Sequence, residues 1–173
     1  MLIREEQPAD IEKIFQVNID AFGGDTEAKL VDMLRASAQP FISLVAVRDN
    51  QIVGQIVFTP VDLSNGTSDG SSEIKIMGLG PMAVVANHQR QGIGSELIKE
   101  GLARVAALGY DAVVVLGHAH YYPRFGFVPA TQYQIKSEYD VPDDVFMIME
   151  LTNGALQGKH GTIKYHQAFS MVE

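Results

Sequence analysis

The chain has 173 residues, of which 46% are hydrophobic, and it carries a formal net charge of −8 and no cysteine. These values predict one globular domain, because domains commonly contain about 100–200 residues, and they exclude disulfides and a thiol nucleophile. The sequence contains no cluster of lysine and arginine residues of the kind that binds nucleic acids, so we expect no nucleic-acid partner.

Signals for targeting and membrane insertion are missing from the sequence. No apolar run reaches the length of about 18 residues that would indicate a transmembrane helix, so no membrane partner is expected. Residues 1–6 are charged and lack the apolar segment of a signal peptide. We therefore expect a cytoplasmic protein, whose acidic surface favours amines and other cationic small molecules.

The first part of the chain predicts a strand, two helices and a hairpin. The helix signal is clearest where Ile11, Ile14 and Ile19 recur at helical spacing. Turn residues between positions 60 and 72 predict a loop. The predicted elements are a strand over 2–6, a helix over 8–22, a second helix capped by Thr26, and hairpin strands over 42–47 and 52–58 around a turn at 49–51.

The second part predicts two parallel strands joined by a helix. A strand starts at Glu73 and is interrupted by the Gly-Leu-Gly-Pro segment at 78–81, because proline cannot donate to a ladder and glycine often marks a bulge. A helix from 92 to 109 and a continuous apolar strand at 112–116 follow, which is the order of a βαβ unit. The remaining predictions are a helical turn over 121–125 and strands over 127–135, 145–151 and 161–165.

A glycine-containing loop runs from Val84 to Gly94, between an apolar strand and a helix that opens on Gly92 and Gly94. Without Cβ atoms these glycines let a ligand approach the backbone, and the N–H groups at the helix start favour an anion such as phosphate. The spacing excludes a Walker loop, and Leu97 stands where a dinucleotide fingerprint needs a third glycine. The alternative is a purely structural strand-to-helix turn.

Two motifs resemble signatures of the GNAT family of N-acetyltransferases. Gln89-x-x-Gly92-x-Gly94 is similar to the Q/R-x-x-G-x-G/A loop of that family. The segment from Tyr122 to Phe127 is similar to the family's Tyr-x-x-x-Gly-Phe motif, and residues 116–127 resemble a small subgroup called YhbS-like. Two motifs in this order, separated by one helix and one strand, are more specific than either alone.

The order of elements over roughly residues 2–151 also resembles the GNAT fold. The resemblance implies an α/β chain (α+β, three layers) with a mixed, mostly antiparallel sheet, splayed central parallel strands and helices on both faces. We expect the strands at 73–85 and 112–117 to be parallel neighbours that diverge after about Met82. The chain is then one N-acetyltransferase domain over 1–173, with a C-terminal extension over 152–173.

The resemblance implies acetyl-CoA as the acyl donor and no metal. Its pyrophosphate is expected on the glycine loop, and its pantetheine arm beside the interrupted strand, whose backbone groups would otherwise lack partners. The cofactor-binding residues implied are Met82, Ala83, Val84, Gln89, Arg90, Gln91, Gly92, Ile93, Gly94 and Ser95.

Three residues are candidates for catalysis. The resemblance implies Tyr122 as the general acid for the leaving thiolate, and the alternative is an aromatic residue that only packs in the pocket wall. Glu73 lies near a position where some family members accept the amine proton through water, and a solvated strand carboxylate is the alternative. His118 follows a buried strand and has a pKa suited to a general base, although a hydrogen-bonded histidine at a strand end is the preferred interpretation.

The function implied is transfer of an acetyl group from acetyl-CoA directly to a primary amine of an unidentified small acceptor. The alternative is a catalytically silent module of the same fold that binds an acyl-CoA or a metabolite. The intact Gln89, Gly92, Gly94 and Tyr122 favour the enzyme. A homodimer is consistent with the resemblance.

Overall fold

The structure, a computed structural model, describes residues 1–65 and 74–171. Its strands are β1 (Leu2–Glu5), β2 (Ile42–Arg48), β3 (Gln51–Ser64), β4 (Ile76–Val84), β5 (Ala112–Leu116), β6 (Val128–Pro129), β7 (Ile135–Ser137), β8 (Phe146–Glu150) and β9 (Gly161–Lys164). Its α-helices are α1 (Ile11–Phe22), α2 (Thr26–Ser37), α3 (Ile93–Ala107) and α4 (Ala168–Met171). Short 3₁₀ turns cover Pro8–Asp10, Ala86–His88, Tyr122–Phe125, Ala130–Tyr133 and Asp143–Val145.

The chain forms two compact units, and it passes from one to the other within β3, within β4, within α3 and again between β9 and α4. The first unit contains Met1–Thr59, Gly80–Ala103 and the described residues from His166 onward. The second contains the described residues of Pro60–Leu79 together with Arg104–Tyr165.

The core of the first unit joins two amphipathic helices to an antiparallel sheet. β1 pairs with β2, and β2 pairs with the first part of β3. Ile14 and Val17 of α1 and Leu34 of α2 are fully buried in one cluster with Val45 and Val57 of the sheet. The helical spacing of these apolar residues therefore predicts the face that packs in this unit, as expected for amphipathic helices.

Two predictions about the first unit need local correction. Thr26 is not the cap of the second helix, because Asp25 occupies the position before it and Thr26 is the first helical residue. The Asp25 carboxylate lies 3.0 Å from Lys29 Nζ, one turn into α2. The hairpin turn contains only Asp49 and Asn50, both with positive φ, as a two-residue turn between twisted strands requires.

The predicted loop after position 60 is wrong for its first residues. β3 continues through Pro60 to Ser64, and Asp62–Ser64 pair with β9 from the C-terminal segment. This partner is about one hundred residues away in sequence, so no local pattern could indicate it. The rest of the predicted loop, from 66, lies outside the described residues.

The second unit is built around β5, whose residues Ala112–Val115 are buried. β5 pairs in parallel with β4, from Ile76 with Ala112 to Leu79 with Val115, and antiparallel with β8. β6 adds to β8, and β7 pairs in parallel with β9. Two partnered edges and buried side chains explain the continuous apolar run of β5, and the prediction of parallel neighbours is confirmed.

The glycines of β4 do not interrupt the strand as the sequence predicted. β4 runs unbroken through positions 78–81, although its last pair with β5 is at Leu79, before the expected Met82. A Cβ on Gly78 would lie 3.1 Å from the Val61 side chain, so this glycine serves close packing rather than a break.

The long strand predicted over 127–135 is also wrong. It reduces to the two residues of β6, a 3₁₀ turn and a left-handed Gln134 before β7. Pro129 ends the short strand because it lacks the N–H that a longer ladder would need. The strands predicted near 145–151 and 161–165 are confirmed as β8 and β9.

Candidate functional site

The glycine loop in the first unit presents exposed backbone ahead of α3. β4 ends at Val84, one 3₁₀ turn follows, and α3 begins at Ile93. Gly92 has φ +86°, and no heavy atom lies within 4 Å of the place where its Cβ would stand. Gln89, Arg90, Gln91 and Gly92 are all exposed, so a ligand can reach this part of the backbone.

The start of α3 provides hydrogen-bond donors for an anion. The N–H of Glu96 donates to the Gly92 carbonyl at 3.1 Å, which is the first turn of the helix. The N–H groups of Ile93 and Gly94 precede that bond and have no carbonyl four residues back within the helix. The buried side chains of Ile93 and Leu97 anchor this end of α3, so the positive end of its dipole is held in place.

Side chains from distant parts of the first unit hold the loop. The Asp20 carboxylate of α1 accepts the Ala86 N–H at 2.7 Å. Gln89 Nε2 donates to the Val84 carbonyl at 2.9 Å, which closes the loop on the end of β4. Arg48 Nη1, at the end of β2, donates to Gln91 Oε1 at 2.6 Å. Neither Asp20 nor Arg48 was predicted from the sequence, because neither belongs to a local motif.

The predicted cofactor-binding residues differ in how much of each is accessible to a ligand. Ile93 has a buried side chain, so only its backbone is available to a ligand. Ala83 is likewise buried, whereas Met82, Val84 and Ser95 are half-buried. The Val84 carbonyl already accepts the Gln89 side chain, which limits its use by a pantetheine amide. The roles of these residues stay predictions.

Tyr122 lies in the second unit within an aromatic cluster. Its side chain is buried, and its ring centroid lies 5.1 Å from that of Tyr121, 5.7 Å from that of Phe127 and 6.4 Å from that of Phe125. The rings of Tyr121 and Phe127 meet it edge to face, the favourable arrangement for aromatic pairs. The surrounding rings therefore hold the phenol in one orientation.

The turn that carries Tyr122 is closed by hydrogen bonds to the backbone. The His118 carbonyl accepts the N–H groups of Tyr121 and Tyr122 at 3.1 and 3.4 Å. Gly126 ends the turn in the left-handed region, at φ 108°, as the Gly of the motif allows. Arg124 Nε donates to the Tyr121 carbonyl at 3.0 Å, and its guanidinium lies 4.6 Å from the centroid of the Tyr121 ring.

Burial raises the pKa of Tyr122 to about 12, with a smaller contribution from Tyr121. The phenolate would lose hydration in this apolar cluster, so the neutral form is favoured. Tyr122 is therefore a protonated hydrogen-bond donor at neutral pH and well above it.

Gly117 makes room for the Tyr122 ring. A Cβ at position 117 would overlap a ring carbon of Tyr122, closer than non-bonded atoms can approach. The Gly117 N–H also donates to the Val145 carbonyl at 2.9 Å, so this backbone cannot move away without losing a hydrogen bond. Glycine is required here because of packing against the predicted acid.

Gly117→Ala should destabilise the protein by about 1–3 kcal/mol, because it overpacks a filled site, and should displace the Tyr122 ring. Chemical denaturation would measure the first effect. Gly24→Ala is the matched control, since Gly24 has ordinary φ and open space around it. Adding Tyr122→Ala should relieve the clash. The double variant should therefore lose less free energy of unfolding than the sum of the losses of the two single variants. Strict additivity would contradict the proposed contact.

The other two predicted catalytic residues are less constrained. His118 is exposed just after β5, and its backbone rather than its ring supports the Tyr122 turn. Glu73 lies outside the described residues. The roles proposed for both as bases stay predictions.

The described part of the chain contains neither a metal-binding cluster nor a membrane-spanning helix. Within residues 1–65 and 74–171, no group of three or more histidine, cysteine, aspartate or glutamate side chains is arranged to hold a metal ion. In the same part of the chain, no helix has both the length and the apolar character needed to cross a bilayer.

A mixed sheet that includes the parallel β4–β5 pair, together with a glycine loop before α3, is the arrangement expected of an acetyltransferase of the GNAT class. A family model described as "Acetyltransferase (GNAT) domain" matches residues 2–130, a region that includes the glycine loop and Tyr122. The chain belongs to the GNAT family of acetyltransferases.

Two relatives from Escherichia coli K12 are similar over most of their length. The uncharacterised N-acetyltransferase YhbS is 34% identical over 171 residues, which cover 98% of this chain and 99% of that protein. The uncharacterised N-acetyltransferase YjhQ is 36% identical over 151 residues, which cover 83% of this chain and 81% of that protein.

Solved structures agree with this assignment. YhbS from E. coli in complex with CoA superposes with a TM-score of 0.88 at 34% identity, covering 98% of this chain and 91% of that one. A GNAT family acetyltransferase from Brucella melitensis in complex with acetyl-CoA has a TM-score of 0.76 at 35% identity, covering 97% of both chains. The GNAT fold predicted from the sequence is confirmed.

Proposed function

We propose that the protein transfers an acetyl group from acetyl-CoA to a primary amine of a small acceptor. The observation that carries this proposal is the exposed loop before α3, where Gly92 leaves open space beside the N–H groups of the helix start. Such a loop suits a diphosphate because backbone donors and the helix dipole both favour negative charge. The CoA and acetyl-CoA bound to the two similar structures support the same ligand here.

Residues of the loop would hold the nucleotide end of acetyl-CoA. The N–H groups of Ile93 and Gly94 are the donors proposed for the diphosphate, and Gln89 fixes the loop by its bond to Val84. Acetyl-CoA would supply a thioester whose carbonyl carbon is open to attack by an amine.

Tyr122 is proposed to donate to the leaving sulfur. The acceptor nitrogen forms the new C–N bond as the C–S bond breaks, and its proton passes to a base, for which Glu73 and His118 are the proposed candidates. The pKa of Tyr122, about 12, exceeds a thiol value near 8.5, so complete proton transfer would cost about 5 kcal/mol. A hydrogen bond to the developing thiolate is therefore the contribution we assign to this phenol.

The whole chain is proposed to act as one N-acetyltransferase domain. The cytoplasm is the location we propose, and the lack of cysteine in the sequence is compatible with it. The homodimer stays a prediction.

Purified protein should release CoA thiol from acetyl-CoA faster in the presence of some members of a panel of primary amines than without them. The panel should include polyamines, aminoglycosides, amino acids and a peptide with a free N-terminus, with secondary and tertiary amines as controls. Mass spectrometry of the acceptor should show a gain of one acetyl group. Tight acetyl-CoA binding without transfer to any member would instead favour the silent binding module.

A further inference from the structure

Arg48 is a cation beside the glycine loop that forms no ion pair with a carboxylate of residues 1–65 or 74–171. Arg4 and Arg35 each lie 2.6 Å from a carboxylate oxygen. Arg48 instead donates to the neutral Gln91 side chain at 2.6 Å, and it makes no ion pair among the residues that the structure describes. The chain has a net charge of −8, so carboxylates are abundant. Arg48, next to the glycine loop, nevertheless pairs with none of those in the described residues.

The tight β2–β3 hairpin fixes the position of Arg48 next to the glycine loop. Arg48 is the last residue of β2 and pairs with Gln51, the first residue of β3. The two turn residues between them have φ of 53° and 63°, which keeps the hairpin tight. Arg48 is half-buried, and its guanidinium reaches Gln91, the residue that precedes Gly92.

The contact with Gln91 leaves most of the guanidinium available. A guanidinium has five N–H donors in a planar fork that matches phosphate oxygens, and the Gln91 contact uses Nη1. Gln91 Nε2 lies 3.5 Å from the Asn87 carbonyl, a long hydrogen bond that ties the same side chain to the loop. Arg90, in the loop itself, also makes no ion pair within the described part of the chain.

We propose that Arg48 binds a phosphate group of the nucleotide portion of CoA, so that the β2–β3 hairpin completes the site formed by the loop. This inference rests on the proposed function, because it assigns a second ligand to the same bound molecule. The diphosphate and the 3′-phosphate share the chemistry that an arginine recognises, and the experiment below separates them.

Calorimetric titration of CoA into the wild type and Arg48→Gln tests the proposal without requiring turnover. The variant should bind CoA about tenfold or more weakly, as expected for loss of a charge-assisted hydrogen bond. Raising the salt concentration should weaken CoA binding less in the variant than in the wild type, because one screened attraction is gone. Arg104→Gln is the matched control, with the same chemical change at a half-buried arginine in the last turn of α3, and it should bind within about twofold of the wild type.

Titrating both CoA and 3′-dephospho-CoA identifies which phosphate group Arg48 contacts. Equal losses for CoA and 3′-dephospho-CoA in Arg48→Gln would assign Arg48 to the diphosphate, and a loss for CoA alone would assign it to the 3′-phosphate. Unchanged affinity for both ligands in a folded Arg48→Gln variant would overturn the proposal. A wild type that binds neither ligand would instead refute the proposed function.

A Gln91→Ala variant tests whether Arg48 acts only by holding the loop. If Arg48 contacts phosphate, Gln91→Ala should lose less affinity than Arg48→Gln, and the double variant should be weaker than either. If both single variants and the double variant lose the same factor, Arg48 acts through Gln91 and direct contact is ruled out. Thermal unfolding of each variant verifies that the fold is intact.

Discussion

Replacing Tyr122 by phenylalanine should lower kcat by at least about tenfold while CoA affinity stays within about twofold. The substitution keeps the ring and its contacts with Tyr121 and Phe127 and removes only the donor. A hydrogen bond to a charged group is worth about 1.5–3 kcal/mol, which corresponds to about 10–150-fold in rate. An interaction made mainly in the transition state lowers kcat without weakening ground-state binding.

The measurement needs an identified amine acceptor, saturating acetyl-CoA and a separate binding titration. Tyr121→Phe is the matched control, because it removes the neighbouring hydroxyl from the same segment, and we expect less than a threefold change. A Tyr122→Phe enzyme with wild-type kcat on a true acceptor would exclude Tyr122 as the donor and direct attention to His118 or water.

The pH dependence follows from the sign of the pKa shift. Burial raises the Tyr122 pKa to about 12 in the folded protein, above the value near 10 of an unfolded chain. The stabilisation from its neutral form is therefore complete below about pH 10 and is lost as pH rises toward 12. Ionisation of Tyr122 should produce no alkaline fall in kcat below about pH 10, and a fall that is present in wild type and absent from Tyr122→Phe in that range would contradict the burial.

Replacing Gly92 by valine should weaken CoA binding by more than about tenfold while the protein still folds. At φ +86° a β-branched residue is strained, at a cost of about 1–3 kcal/mol. The loop can relieve that strain only by moving its backbone, which displaces the N–H groups at the start of α3. The space around Gly92 is open, so the variant should not clash with the core.

Gly109→Val provides a matched control for backbone strain. Gly109 also has φ +86° and nothing within 4 Å of its missing Cβ, but it follows the opposite end of α3. Both variants should lose a similar free energy of unfolding, measured by chemical denaturation, and only Gly92→Val should lose CoA affinity by calorimetry. Equal CoA affinity in the two folded variants would show that the loop is structural only.

Features that depend on residues close in the chain were predictable from the sequence. The helical spacing around Ile14, the continuous apolar run of β5 and the glycines before α3 all act within a few residues, through periodicity and backbone freedom. These patterns sufficed for helices α1 and α2, for the parallel β4–β5 pair and for the place of the glycine loop. The family resemblance added Tyr122 as a candidate for catalysis, which a lone tyrosine in the sequence would not have indicated.

Contacts between distant segments were decided only by the tertiary structure. β9 extends the ladder of β3 and converts part of a predicted loop into strand, because unpaired backbone groups find partners wherever the fold brings them together. Asp20 and Arg48 support the glycine loop across 66 and 43 residues of sequence. The ring of Tyr122 explains why residue 117 is glycine. Each of these depends on which side chains meet in space, and that information arises from packing rather than from any local spacing.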